Sequence, residues 1–182
     1  LEHRRQRQMC IRDSLKKRGV SFLLLREPGG STNSEKIRKL ILSNNSKFNK
    51  KTDLLLYFSS RSENIEILKK KYRKKIILID RFIDSTIAYQ HYGMGLNLSL
   101  INNLNSFLLD DLKVDFTFLN IVNEKNMLKR LNKRKSLNRY DKFNKNFYRK
   151  VQRGFVKLSK KKLNKYMIIN SNLEIRHNEE LI

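Results

Sequence analysis

The sequence predicts an α/β fold, a parallel sheet flanked by helices. Three observations predict it. Short, uninterrupted apolar runs recur along the chain, as expected of strands buried on both faces. The stretches between those runs carry apolar residues at helical spacing. With one proline and six glycines, the chain has little linker-like sequence and shows no internal repeat or domain boundary. A chain of 182 residues with 39% apolar content can build one core.

The elements follow in order. Residues 1–14 are polar and arginine-rich, unlike a buried strand, and carry no apolar stretch followed by a small-residue cleavage site. They are read as a non-native leader, with the domain proper spanning 15–182. Ser21-Phe-Leu-Leu-Leu25 is the first predicted strand. Ile37, Leu40 and Ile41 mark a helical stripe, and Leu54, Leu55, Phe58, Ile65 and Leu68 a longer one. Lys75-Ile-Ile-Leu-Ile79 is the second strand, and Leu100, Leu104, Phe107 and Leu108 form a third helical stripe. Phe116-Thr-Phe-Leu-Asn-Ile121 and Tyr166-Met-Ile-Ile169 complete the strands.

Composition bounds the function. The net charge of +24 admits a nucleic-acid binder working by phosphate neutralisation. The lysines, however, are scattered from Lys16 to Lys165 among many asparagines, a pattern of AT-rich coding drift rather than one patch. Such a surplus still draws anionic nucleotides by long-range steering. No apolar run approaches the roughly 20 residues needed to cross a bilayer, so no membrane association is expected. A single cysteine, Cys10, excludes an internal disulfide and fits the cytoplasm, and no Cys/His cluster has zinc-ligand spacing. His91 and His177 suggest no catalytic role.

Charged residues follow the first two strands directly: Arg26-Glu-Pro-Gly-Gly30 after Leu25, and Asp80-Arg81 after Ile79. In open parallel sheets ligands bind beyond the carboxyl ends of strands, so these two ends can share one site. Read alone, Pro28-Gly29-Gly30 is equally a turn into the next helix, and Asp80-Arg81 a surface ion pair. Tyr57 and Arg61, four apart, share a helix face. Arg81 offers an anion a planar fork of paired donors and stays charged at physiological pH.

Arg26-Glu-Pro-Gly-Gly-Ser31, Leu54-Leu-Leu-Tyr-Phe-Ser-Ser-Arg61 and Asp80-Arg-Phe-Ile-Asp-Ser-Thr-Ile-Ala-Tyr-Gln90 stand in the order and spacing of the thymidylate kinases. The resemblance continues through Tyr92-Gly-Met-Gly-Leu96, Asp115-Phe-Thr-Phe-Leu119 and Asn146-Phe-Tyr-Arg-Lys-Val-Gln-Arg-Gly-Phe155, covering roughly residues 16–175. It implies a P-loop nucleoside monophosphate kinase fold that phosphorylates dTMP to dTDP, with ATP as donor and Mg2+ as cofactor, and a homodimer with no specific nucleic-acid partner. It places Tyr57 against thymine, with Phe58 in the core, and Arg61 at the base edge. Arg81 would clamp the acceptor phosphate, Asp80 would hold magnesium directly or through water, and Thr86, Tyr89 and Gln90 would line the base and sugar pocket. Tyr89 would disfavour a ribose 2′-hydroxyl, and Glu27 is a carboxylate near the acceptor. The lid is expected at about residues 129–142, with Arg130, Arg134 and Arg139 as donor-phosphate arginines; Asp80, Arg81, Arg134 and Arg139 form the expected catalytic set. Lys135-Ser-Leu-Asn-Arg139 departs from the common lid pattern Gly-Glu-Leu-Asp-Arg.

The resembled family opens with a strand and a glycine-rich loop, yet no GxxxxGK[ST] motif occurs in these residues. Leu15-Lys-Lys-Arg-Gly19 looks like the end of the helix that follows that loop. Two expectations follow: negligible kinase activity for want of the phosphate cradle, and a gap in the sheet centre between the strands ending at Ile79 and Ile121. The C-terminal edge is expected to be incomplete, with a final helix starting near Asn172. The competing readings are a nucleotide-binding relative without catalysis, another deoxynucleotide kinase, and a basic nucleic-acid binder.

Overall fold

A computed structural model describes residues 11–161 and 163–173. The expectations for residues 1–10 and for a final helix beyond Leu173 lie outside the described residues. Residues 11–17 form a helix (α1), which ends at Gly19, whose φ of 66° suits a residue without a Cβ. Strand β1 is Phe22–Arg26, β2 Ile76–Asp80, β3 Thr117–Ile121 and β4 Tyr166–Asn170. The helices are α2 (Thr32–Leu42), α3 (Lys50–Lys71), α4 (Ile83–Thr86), α5 (Leu98–Leu109), α6 (Glu124–Asn132) and α7 (Lys145–Lys161). A π-helical segment, Ile87–Gly93, continues α4.

The asparagines have local work. Asn49, Asn97 and Asn123 cap α3, α5 and α6, each accepting from backbone N–H groups of the first turn that lack partners within the helix.

All pairing is parallel. β1 pairs with β2 in the register Phe22↔Ile76 to Arg26↔Asp80, and β3 with β4 from Thr117↔Tyr166 to Ile121↔Asn170. The two ladders are not joined among the described residues, so the break in the sheet falls between β2 and β3, as expected from the sequence.

The core sits where helices cover the first ladder. Leu25, Ile65, Leu68 and Leu109 bring β1, α3 and α5 together, with Ile77 and Ile79 of β2 packed against them. Leu54, Phe58, Ile87 and Ile101 join α3, the π segment and α5. All three sequence stripes need correction, and on α2 Leu40 is exposed while its neighbour Ile41 is fully buried. On α5 the buried face is Ile101, Asn105 and Leu109, whereas Leu100 and Phe107 point outward, Phe107 being 80% exposed. On α3, Leu55 is exposed although Leu54 and Phe58 are buried, because adjacent residues lie about 100° apart on a helix.

α7 approaches the π segment through glycine at both ends of the contact. A Cβ on Gly93 would lie 2.6 Å from Phe147, and one on Gly154 only 2.5 Å from the Tyr92 ring and 2.9 Å from its Cβ. Since the ring base cannot swing away, Gly154→Ala is expected to destabilise the fold by about 1–3 kcal/mol through overpacking. The urea-denaturation midpoint is the check.

Candidate active site

The register of the first ladder builds the site. Because Arg26 is opposite Asp80, the segments leaving β1 and β2 emerge side by side, and the Glu27 N–H donates to Asp80 O at 2.9 Å. The two charged strand ends singled out in the sequence are therefore neighbours.

The loop 27–31 is fixed by polar groups from two helices. Gly29 N donates to Ser34 Oγ (3.0 Å) and Ser60 Oγ (3.2 Å), and Asn64 Nδ2 donates to Gly29 O at 2.7 Å. Gly30 N donates to Glu35 Oε1 at 2.8 Å, and Ser31 N to Asn64 Oδ1 at 3.1 Å. Gly29 and Gly30 have φ of 109° and 114°, and a Cβ on Gly29 would lie 2.4 Å from Glu35 Oε1. Only glycine suits this path.

Behind the loop lies a buried charge cluster. Arg61 of α3, 1% exposed, donates from Nε (2.9 Å) and Nη2 (2.8 Å) to Glu27 Oε2. Its Nη2 also donates to Thr86 Oγ1 at 2.8 Å, and its Nη1 to Asn105 Oδ1 at 2.5 Å. Phe58 and Phe82 lie 5.3 and 5.1 Å from the guanidinium carbon. Burial raises the Glu27 pKa even though Arg61 opposes it. Gln90 is buried on the same segment as Thr86, and neither Nε2 nor Oε1 has a partner; Glu27 Oε1 and Asn105 Nδ2 are likewise unsatisfied.

Arg81 follows Asp80 with φ of 66°, a left-handed conformation rare for a side chain of this size. Its Nη2 donates to Tyr89 OH at 3.1 Å, and its guanidinium lies 4.9 Å from the Tyr89 ring centre. Arg38 of α2 donates to Pro28 O at 2.6 Å. Burial, and then the positive charges of Arg26 and Arg81, hold the Arg38 pKa below its ordinary value. Glu35 pairs with Arg26 and also faces Arg38, and Asp80 faces Arg81, so three arginines meet two carboxylates here and a net positive field remains. An anion is what such a field accommodates.

Aromatic rings line the remainder. Tyr140 stands edge-on to Tyr57 (6.0 Å) and Tyr89 (6.3 Å), and Tyr89 also meets Phe147 and Phe155. Burial pushes the Tyr57 phenol up to about 12, so it stays neutral. Phe58 sits in the core, as the sequence suggested.

The region expected to act as lid is held down. Arg139 donates to Asp53 and to Ile41 O, and lies over the Phe48 and Tyr140 rings. Tyr140 OH donates to Asp53 Oδ2 at 3.2 Å. Arg134 pairs with Asp141, and Arg130 donates to Ser171 O. Glu27, Arg61 and Thr86 are thus directly bonded, as are Arg81 and Tyr89, and Arg139 shares the Asp53 carboxylate with Tyr140, whose ring meets Tyr57. Arg130 and Arg134 instead bond to Ser171 and Asp141, outside this cluster.

Sequence reasoning missed Arg38, Ser60, Asn64 and Asn105. Asn105 left a signal, a polar residue centred in the apolar stripe Ile101, Asn105, Leu109; Asn64 lies on the Arg61 side of α3, three residues on. His91 Nδ1 donates to Leu96 O at 2.7 Å. No group of three or more His, Cys, Asp or Glu residues gathers among the described residues. A hard cation here would therefore use Asp80 together with phosphate and water oxygens, as magnesium commonly does.

The thymidylate kinase family model matches residues 6–182. A thymidylate kinase of Thermosipho africanus (strain TCF52B) is 38% identical over 156 residues, covering 85% of this chain and 77% of the relative. The crystal structure of thymidylate kinase from Ehrlichia chaffeensis matches with a TM-score of 0.68 and 32% identity, over 88% of this chain and 78% of that one.

Arg61→Met would leave Glu27 buried without its cation, at an expected cost of about 3–5 kcal/mol at neutral pH. With Arg61 gone the Glu27 pKa rises further above its ordinary value of 4.5, so the folded state holds the proton more tightly than the unfolded one. Stability of the variant is then greatest at or below that ordinary value and falls as pH rises through the raised one. Urea denaturation across that range should show a steeper decline with pH than the wild type.

Proposed function

The chain belongs to the thymidylate kinase family, and from that premise we propose that it serves phosphorylation of dTMP to dTDP with ATP as donor, its described residues forming the acceptor site. The observation that best supports this reading is the buried Gln90 carboxamide, which has neither donor nor acceptor satisfied. Buried polar groups are normally paired, so this amide calls for a partner. The N3–H and O4 edge of thymine supplies an acceptor and a donor side by side. Arg61 adds a donor only, which suits the O4 oxygen and opposes the amino group of cytosine.

In this reading Arg81 and Arg38 receive the acceptor phosphate, and Arg81 is aimed by its bond to Tyr89. A guanidinium fork on a phosphate orients the attacking oxygen, and positioning carries most of the catalysis in phosphoryl transfer. Tyr57 supplies an aromatic face for the base, and Tyr89 crowds a ribose 2′-hydroxyl. Magnesium, held by Asp80 directly or through water, would neutralise charge on the phosphate oxygens of the donor. Arg130, Arg134 and Arg139 would contact donor phosphates only after leaving Ser171, Asp141 and Asp53 respectively. Exposed Leu40, Leu55 and Phe107 on α2, α3 and α5 support a homodimer. No described helix is long and apolar enough to cross a membrane.

Calorimetry should show dTMP binding in preference to the uridine ribonucleotide, and Arg81→Ala should weaken dTMP by about tenfold or more through loss of a charge-assisted contact. Equal affinity for both nucleotides in a folded chain would sink the reading. Sedimentation is expected to show a dimer, and Phe107→Glu a monomer.

A further inference from the structure

We propose that the basic cavity between the start of α3 and α7 is a second anion site, one that takes a compact chain of two or three phosphates.

The cavity, of about 410 Å³, is lined by Lys50 of α3, by Tyr92 and residues 93–95, and by Lys150, Arg153 and Lys157 of α7. Its size falls within the range of about 300–1,000 Å³ usual for small-molecule sites. All four charged side chains on its wall are cations. Among the described residues, none of the four forms an ion pair with a carboxylate.

Charge on α7 is sorted by face. Arg149 is neutralised by Glu124 of α6. Lys150, Arg153 and Lys157 follow at helical spacing on another face, and α7 contains no acidic residue to offset them. Like charges three or four residues apart repel and weaken a helix, a cost that a bound anion removes. Most lysines of this chain are scattered, but here helix spacing and a second helix bring four cations to one hollow. Two of them are anchored on its wall. Lys50 Nζ donates to Met94 O at 2.9 Å, which leaves two of its three donors for a ligand. Lys157 Nζ lies 5.6 Å from the centre of the Tyr92 ring, and that ring is backed by the close approach of Gly154. Arg153 adds a planar fork, the geometry that suits phosphate.

The number of cations sets the ligand. One phosphate monoester carries about −1.5 to −2 charges near neutral pH, so four cations match two or three phosphates better than one. A nucleic-acid backbone fits less well, because Lys150 to Lys157 covers only about 10 Å of helix axis and Lys50 comes in from a second helix. The site is separate from the acceptor pocket and does not depend on that reading. Phe147 and Phe155, which meet Tyr89, lie roughly 130° around α7 from the basic stripe, at about 100° per residue.

Inorganic triphosphate and a nucleoside triphosphate are the probes, followed at the Gly93 and Gly95 amide signals by nitrogen-15 NMR. Physiological salt suppresses the general field of the +24 chain, since exposed charges more than about 8 Å apart are largely screened. Triphosphate should shift both signals saturably. The triple variant Lys150→Gln, Arg153→Gln, Lys157→Gln should weaken it about tenfold or more, as expected for lost charge-assisted contacts, and Lys50→Gln alone should act in the same direction. All four positions are exposed. A second triple variant, Lys70→Gln, Lys71→Gln, Lys74→Gln, loses the same charge beyond the other end of the cavity helix α3 and should leave affinity nearly unchanged. Equal binding of the two probes supports the proposal, as does tighter nucleoside triphosphate binding that the first triple variant weakens. Equal weakening by both triple variants overturns it in favour of diffuse charge, and so does the absence of saturable shifts at Gly93 and Gly95. Duplex DNA that shifts these signals and resists displacement by triphosphate overturns the compact ligand. Arg81→Ala should weaken dTMP while leaving triphosphate here unchanged, so failure of the acceptor reading and failure of this site are told apart.

Discussion

The buried ion pair between Arg61 and Glu27 is the contact on which the rest of the site depends. It ties α3 to the loop after β1, and through Thr86 and Asn105 it also holds α4 and α5. Removing two charges from water is costly, and only good geometry with further hydrogen bonds compensates. Here the compensation is uneven, because Glu27 Oε1 remains unpaired and burial outweighs Arg61 in setting the carboxyl pKa. Such a pair contributes little net stability compared with an apolar core of the same volume. What it contributes is uniqueness: each helix must sit where its polar group completes the cluster.

The same logic explains the glycine loop. Its backbone donors are satisfied from α2 and α3, by Ser34, Glu35, Ser60 and Asn64, so the loop cannot shift without breaking bonds to both helices. Charge is sorted as well. Glu35 takes Arg26, while Arg38 meets a backbone carbonyl and Arg81 meets Tyr89. Arg38 and Arg81, the latter facing the Asp80 carboxylate, thereby gather where β1 and β2 end, the natural ligand edge of a parallel sheet.

Much of this was legible in the residues. All four apolar runs became strands within a residue of the expected bounds, since little else in this chain supplies an unbroken apolar run, but burial on both faces is not what the structure shows: Leu24, Ile76 and Ile168 are exposed. The junctions 26–30 and 80–81 converge as expected, since parallel pairing fixes their positions once the strands are known. The outward turn of Leu100 and Phe107 was not legible: on a helix rich in apolar residues all round, periodicity leaves more than one possible face, and only the neighbours in space choose between them. Nor were the roles of Ser60 and Asn64, because their partners are backbone groups some thirty residues away. Asn105 was visible as an oddity, but a polar residue in an apolar stripe has no stated purpose until Arg61 is placed beside it.

The segment carrying Arg139 and the aromatic cluster are mechanically joined. Tyr140 stands edge-on to both Tyr57 and Tyr89, and its hydroxyl and the adjacent Arg139 both bond to Asp53, near the start of α3. Asp53 is buried, so releasing either partner leaves part of a buried carboxylate unpaired. A ring inserted against Tyr57 acts on Tyr140 through direct contact, and movement of Tyr140 acts on Arg139 through the chain and through their shared acceptor. The Asp53 contacts therefore oppose release of Arg139, and Tyr140 is the ring through which the aromatic cluster bears on them. That coupling needs no long path, since Tyr140 belongs both to the aromatic cluster and to the short helical turn that carries Arg139.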